Sequence, residues 1–393
     1  MRISILTFCK TINYGAALQC YALSTYLKSQ GHRVSIINLE LPSNNSNGKK
    51  RSLLRRIVSK IIRTARDLII SKPNVTGEYE RYKTSSDKYI IYEKETWKLF
   101  NDFSENRIGG FTSLFTSYED IKDSYPQADL YIVGSDQVWN PQITGRNVLL
   151  YFFSFLNNEP RISYAASFGG SEQIDFGEDG TIEVKRLLSK FNAISVRDHI
   201  GLNIMNQQFN LPSRQVVDPT LLLDPSLYAE LADESKEDAK GYLYEYKYII
   251  NDSWVNQIKE IASHLNLKVR SDGEFIDLDE FEYHPVQSIQ GWLKVIKTAD
   301  FIVSDSFHCT IFCILFKKRF VTTPSYKGGE GRMLSLLKDL GIENRFFYNI
   351  ADIQNRKDLV YNPIDYDTVY QKLDKLSGES KRYLIDEISK VAI

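Results

Sequence analysis

The sequence predicts an α/β protein of two Rossmann-like domains facing each other across a cleft. Three observations carry this. Apolar runs of strand length alternate with amphipathic stretches of helix length in both halves of the chain, the pattern of parallel sheets. At 393 residues the chain is long enough for two domains of about 100–200 residues each. A stretch of different character, about residues 41–127, interrupts the first half and then the alternation resumes. The expected layout is a first domain over residues 1–212 with a helical insertion at about 41–127, a second domain over 213–375, and a closing helix over 376–393.

The elements follow in order. "ISILTF" (Ile3–Phe8) is a strand, "CKTINYG" a loop and "AALQCYALSTYLKSQG" (Ala16–Gly31) a helix, with Leu18, Ala22, Leu23, Tyr26 and Leu27 on one face and Gly31 to stop it. "HRVSIINLE" is the next strand. The opening loop lacks the GxGxxG of a dinucleotide site. Within the insertion, "KKRSLLRRIVSKIIRTARDLIISK" (Lys49–Lys72) sets nine Lys or Arg against a single acid, Asp67, and its apolar residues form one helical stripe. "ADLYIVGSD", "RISYAASFG" and "FNAISVRD" are three further strands, and "RQVVDPTLLLD" (Arg214–Asp224), with its turn residues, crosses to the second domain. There "GYLYEYKYII", "LKVRSD", "DFIVSDS" and "RFVTTP" read as strands. Helices are expected near Asp252–Leu265, near Ser288–Ala299, after His308 and over Arg332–Leu340.

Composition narrows the class. Hydrophobic residues make up 42% and charged residues 25%, the profile of a soluble globular protein. A net charge of −1, with the basic excess confined to one segment, argues against nucleic-acid binding. The 24 Tyr and 21 Phe suit carbohydrate surfaces or well-filled cores. Cys9, Cys20, Cys309 and Cys313 all sit in apolar elements without a CxxC pair, which reads as buried free thiols in a reducing compartment. The N-terminus is too quickly polar for a signal peptide, and no apolar run approaches the roughly 20 residues of a membrane span. A cytoplasmic protein is expected.

In doubly wound sheets ligands sit at the carboxyl ends of strands, and five polar clusters fall there. In "VGSDQVWNP", Ser135, Asp136, Gln137, Trp139 and Asn140 follow a buried strand; they make a binding loop or a capped turn with a packed Trp. In "SDSFHCT", Ser304, Asp305, Ser306 and His308 lie where a strand passes into a helix N-terminus, a place for an anion, though Ser and Asp are also ordinary caps and His308 could be a core histidine. "YKGGEGRM" offers Lys327 and Arg332 as anion clamps, or as solvated loop charges. In "ISVRD", Arg197 and Asp198 face a ligand or each other. "TINYGA" is a further strand-to-helix turn, with Asn13 and Gly15.

Together, "NYGAALQCYAL", "DLYIVGSDQVWNP", "ISYAASFG", "ISVRD", "VVDPTLLL" and "ADFIVSDSFHCTIFCILFKKRFV" run in this order over nearly the whole chain and resemble the polysaccharide pyruvyl transferase family. The resemblance implies a GT-B-like fold with the acceptor on the first domain and the donor on the second. It also implies phosphoenolpyruvate as donor and a sugar acceptor, lipid-linked or polymeric, in capsular, exopolysaccharide or other cell-surface glycan synthesis. The product is a pyruvate ketal on two hydroxyls, and no metal or organic cofactor is expected. Family members often carry an Arg two residues before the motif His, where this chain has Ser306. Arg197, Lys327 and Arg332 are the candidates to take over its charge. In this reading His308 is the acid, with a nearby phosphate favouring its imidazolium above the usual pKa of about 6.5. Asp136 is base or anchor for the sugar hydroxyl, Gln137 and Asn140 bind other hydroxyls, and Trp139 stacks on a sugar face. Asn13, Gly15, Ser135, Ser304 and Ser306 complete the substrate-binding set.

The Lys49–Lys72 helix either meets an anionic membrane surface from the cytoplasmic side or packs its stripe on the first domain with its charges solvated. Two rival functions use the same features. A nucleotide-sugar glycosyltransferase of the same fold would use the same cleft and clamps, and a non-enzymatic scaffold would need only the basic helix.

Overall fold

The first sheet holds β1 (Arg2–Leu6), β2 (Arg33–Leu39), β3 (Phe111–Phe115), β4 (Leu130–Val133) and β5 (Arg161–Ser163), all parallel, in the order β3-β2-β1-β4-β5. The second holds β6 (Tyr242–Tyr246), β7 (Lys268–Asp272), β8 (Phe281–His284), β9 (Phe301–Ser304) and β10 (Phe320–Thr322), also parallel, in the order β8-β7-β6-β9-β10. Counted along the chain, both sheets run third, second, first, fourth, fifth, which is the Rossmann order. The computed structural model that shows this describes residues 1–40, 78–80, 86–247, 249–272, 281–325, 330–356, 358 and 362–391. The basic segment Lys49–Lys72 and Lys327 lie outside these residues.

Helices cover both sheets. Those that bear on function are α1 (Tyr14–Ser29), α2 (Ser86–Phe103), α3 (His199–Ile204), α4 (Asp252–Leu265), α5 (Ile289–Thr298), α6 (Phe307–Leu315), α7 (Gly331–Leu340) and α8 (Tyr366–Val391). The central strands are apolar on both faces because helices lie on both: Ile3, Ile5 and Leu6 of β1 and Phe301, Ile302 and Val303 of β9 are wholly buried. Helix α6, "FHCTIFCIL", is apolar all round, and all nine of its residues are buried. A single apolar cluster runs from α1 through α5 and α6 to α8, so the two halves share a core. The four cysteines are free and buried in it.

Three findings depart from the sequence reading, one being the edge strand β8, which lies in a stretch not read as a strand. The edge strand β3 lies inside the stretch read as helical or irregular. Its "FTSLF" leaves Ser113 and Leu114 exposed, so it lacks the apolar density that marks the inner strands. The final helix begins at Tyr366, ahead of the expected residue 376. Its first half holds the second domain, with Tyr370 donating to the Leu315 carbonyl at 2.7 Å. Further on, Ser377 donates to the Leu221 carbonyl at 2.7 Å, and the Ser380 hydroxyl accepts from the Val217 N–H at 3.0 Å. No described helix is long and apolar enough to cross a membrane.

Candidate active site

Beyond β5 the first sheet continues through short pairings. Ala166 bridges both Asp136 and Val196, and Ser195–Val196 pairs in parallel with Arg214–Gln215. Successive strands therefore end side by side. Ser135 and Asp136 follow β4, Arg197 follows Val196, and Asp218 follows the Arg214–Gln215 strand. These residues are far apart in sequence and meet only because a parallel sheet brings its carboxyl ends to one edge.

Asp218 is the hub. Its side chain is wholly buried. Oδ2 accepts from the Ser135 hydroxyl at 2.8 Å and from Arg197 Nη1 at 2.9 Å. Oδ1 accepts from the Thr220 N–H at 3.0 Å and from its hydroxyl at 2.7 Å. His308, from the other half of the molecule, brings Nε2 to 3.6 Å from the same Oδ2, an electrostatic contact longer than a hydrogen bond. Burial alone would raise the Asp218 pKa. The charges of His308 and Arg197 and the hydrogen bonds from Thr220 outweigh it and hold the carboxyl well below the usual carboxylate range. For Arg197, burial works against the charge, and Asp218, Asp136 and Asp198 more than restore it.

The second half of the molecule supplies the opposite wall. Phe307 lies under the Arg197 guanidinium at 4.5 Å from its centroid, and Arg332 of α7 approaches the same ring at 5.9 Å. Ser306 caps α6 by accepting from the Cys309 N–H at 3.3 Å, which sets His308 in the first turn. His308 is held from the first domain as well. A Cβ added to Gly15 would lie 1.9 Å from His308 Nδ1, so the backbone of α1 abuts the imidazole at a distance only glycine permits. In this cluster Arg197 Nε, Arg197 Nη2 and His308 Nε2 are buried and lack hydrogen-bond partners. Buried donors of this kind cost about 1–3 kcal/mol each when unmet, and these three lie together at one strand edge, Nη2 and Nε2 within 4 Å of the Asp136 and Asp218 carboxylates.

Asp136 sits beside them. Its backbone has φ +78°, a left-handed conformation that Asp tolerates better than most residues but that still costs energy. Its Oδ1 accepts from the Gln137 N–H at 2.8 Å and lies 3.7 Å from Arg197 Nη2, which neutralises it.

Several expected ligand contacts prove to be internal. Trp139 is wholly buried, stacked on Phe152 at 5.1 Å with Nε1 donating to the Tyr151 carbonyl at 2.9 Å. It can show no face to a sugar and is a core residue. Asn140 is also buried and spent. Its Oδ1 caps the next helix through the Gln142 N–H at 3.0 Å, and its Nδ2 donates to Gln137 Oε1 at 3.0 Å. Asn13 caps α1 through the Ala16 N–H at 3.0 Å. Ser304 ties the turn together, donating to the Tyr246 carbonyl at 2.8 Å and accepting from the Ser306 N–H at 3.0 Å. Gly15 makes room for His308. The structure thus brings together Ser135, Asp136, Arg197 and His308, with Arg332 at their edge. The sequence reading missed Asp218, Thr220 and Phe307. A signal was there in "VVDP", an apolar pair ending in an acid, as the other strand tips end in polar residues.

Comparison with known proteins gives two results. The polysaccharide pyruvyl transferase profile matches residues 13–324. Among curated proteins, none matches the sequence. Solved structures align over the full length at low identity. A UDP-N-acetylglucosamine 2-epimerase from Rickettsia bellii is 11% identical with a TM-score of 0.50 over 100% of this chain and 96% of that one. A UDP-GlcNAc 2-epimerase from Neisseria meningitidis is 10% identical with a TM-score of 0.48, over 99% and 100%. A UDP-glucosyltransferase from Polygonum tinctorium is 10% identical with a TM-score of 0.44, over 99% and 98%. At such identity the first likeness shows the fold alone, a fold of the GT-B type, with which the two Rossmann-ordered sheets agree. With a family match that begins at the α1 cap and ends just past β10, taking in Ser135, Asp136, Arg197, Asp218 and His308, the chain is a transferase and belongs to the polysaccharide pyruvyl transferase family.

Proposed function

We propose that the protein transfers the enolpyruvyl-derived group of phosphoenolpyruvate to two hydroxyls of a sugar, forming a pyruvate ketal in the synthesis of a capsular, exopolysaccharide or other cell-surface glycan. The observation that carries the reading is the set of unmet buried donors on Arg197 and His308, which suits a substrate bearing both carboxylate and phosphate. His308 as imidazolium gives a proton to the methylene carbon, which becomes the methyl group. The first sugar hydroxyl attacks C2 and Asp136 takes its proton. The bond from C2 to the phosphate oxygen breaks, and the second hydroxyl closes the ring on C2. The two hydroxyl protons are balanced by the new methyl hydrogen and the hydrogen phosphate released. Asp218 touches neither substrate; it is a positioning residue that holds Arg197 by an ion pair and faces His308 Nε2 at 3.6 Å. In the same reading, Lys49–Lys72 brings the enzyme to the anionic membrane face where lipid-linked acceptors reside.

The test is calorimetry with phosphoenolpyruvate, for the wild type and His308→Ala, with a sugar nucleotide as control. Selective phosphoenolpyruvate binding, weakened in the variant, is expected, and the variant should lose at least about a hundredfold in turnover. Binding of the sugar nucleotide in place of phosphoenolpyruvate would overturn the reading in favour of glycosyl transfer.

A further inference from the structure

In the Rossmann order the strand order reverses between the first and fourth strands, and ligands settle outside their carboxyl ends. In the second sheet these strands are β6 and β9. Their last residues, Tyr246 and Ser304, are register partners, tied by the Ser304 hydroxyl on the Tyr246 carbonyl at 2.8 Å. The next residues on each strand are Lys247 and Asp305. Lys247 Nζ donates to Asp305 Oδ2 at 3.2 Å. Asp305 is followed by Ser306, the cap of α6, and two residues later by His308. Lys247 therefore stands at a strand end of the second sheet, beside the turn that carries the proposed acid.

The site is built from below. The Lys247 ammonium lies 4.7 Å from the centroid of the Trp254 ring, in the first turn of α4. Trp254 is held in turn by its indole N–H on Glu245 Oε1 at 3.1 Å, and Glu245 also accepts from the Ser271 hydroxyl at 2.9 Å. Glu245 is wholly buried. Asp305 is almost wholly buried, whereas the Lys247 side chain keeps 15% of its surface exposed. An ammonium has three donors. Asp305 takes one of them, and among the described residues no other hydrogen-bond acceptor of Lys247 is seen.

Charge makes the same point. Arg197 is matched by Asp218 and Asp136 and Lys247 by Asp305, so what Lys247 adds for a donor carrying three negative charges is its remaining ammonium donors. Lys247 is a compact point charge on a flexible stem, the form of cation suited to a phosphate. Resting on the donor reading above, we infer that Lys247 is a donor-binding residue: its ammonium, held between Asp305 and Trp254, takes the phosphate of phosphoenolpyruvate while Arg197 and His308 face the carboxylate and the reacting carbons.

Calorimetry on the full chain tests this, with phosphoenolpyruvate and inorganic phosphate as separate probes, for the wild type, Lys247→Met and Lys247→Arg. Lys247→Met keeps the stem over Trp254 and removes the charge; Lys247→Arg keeps a cation. The expected result is at least tenfold weaker binding of both probes to the Met variant and most of it recovered in the Arg variant, each titrated at a temperature where circular dichroism shows it folded. Unchanged binding of both probes to the Met variant overturns the inference and leaves the donor reading standing. Weakening toward phosphoenolpyruvate alone overturns the assignment to the phosphate. If the wild type binds neither probe, the donor reading falls and this inference with it. Should Lys247→Met unfold early, Lys247→Gln in the same two titrations decides between these outcomes.

Discussion

Gly15→Ala tests the geometry of the site most directly, because two effects of opposite sign meet there. Gly15 lies in the first turn of α1, capped by Asn13. On helix propensity alone, alanine should stabilise the protein by up to about 1 kcal/mol. The structure predicts the reverse. The new Cβ would stand 1.9 Å from His308 Nδ1, 2.4 Å from Cγ and 2.6 Å from Cε1. A comfortable contact is about 3.5 Å, so the ring or the helix must give way by roughly 1.6 Å. Overpacking of this kind costs about 1–3 kcal/mol, and moving a catalytic group by about 1 Å can cost a hundredfold in rate. The expected variant unfolds at lower urea, binds phosphoenolpyruvate more weakly and releases phosphate from it about a hundredfold more slowly with acceptor saccharide present. The control is the same substitution in a His308→Ala background. There the clash is gone, and alanine at position 15 should be neutral or stabilising, giving a coupling of about 1–3 kcal/mol in the double-mutant cycle. A single variant as stable as wild type, or a cycle with no coupling, would refute the close approach of α1 to the imidazole and with it the account of how His308 is oriented.

Two further expectations follow from the same structure. Asp218→Asn leaves Arg197 and His308 facing a neutral amide, and removing one partner of a buried ion pair typically costs about 3–5 kcal/mol, to be read from urea midpoints near pH 7. Because the carboxyl is held below its ordinary range, its contribution is fully present above the unfolded value of about 3.9 and fades as pH falls through the lower folded value. The stability difference between wild type and variant should therefore shrink as acid is added below about pH 4; a difference that stays constant would contradict the charged hub. For the basic segment, sedimentation with anionic liposomes should pellet the intact protein and leave a form with Lys49–Lys72 charge-neutralised in solution, and equal pelleting would assign those charges to a solvated face.

What the sequence disclosed, and what it withheld, follows one physical line. Inner strands such as β1 and β9 are legible because burial on both faces demands apolar-rich runs, and α6 because its nine residues are all buried and mostly apolar. The edge strand β3 carries no such demand and escaped notice. At the site, polar residues after strands could be located but not sorted. Asn13, Asn140 and Ser306 satisfy their side chains within three residues, as caps do. Ser135 and Arg197 find Asp218 at separations of 83 and 21 residues, and His308 reaches it from the other half of the molecule. A reader of sequence sees the same residue types in both groups. The difference between a cap and a ligand-facing group lies in where its hydrogen bonds go, and for Asp218 and Lys247 that depends on strand order, which brings together chain ends that no local pattern relates. Trp139 shows the converse: it stands among polar residues in the sequence, yet Phe152 and Phe168 enclose it, and packing across the domain overrides what its neighbours along the chain suggest. The donors on Arg197 Nε and Nη2 and on His308 Nε2, buried and without a hydrogen bond, are likewise invisible in the sequence, because only the completed fold shows which groups are buried and where their hydrogen bonds go.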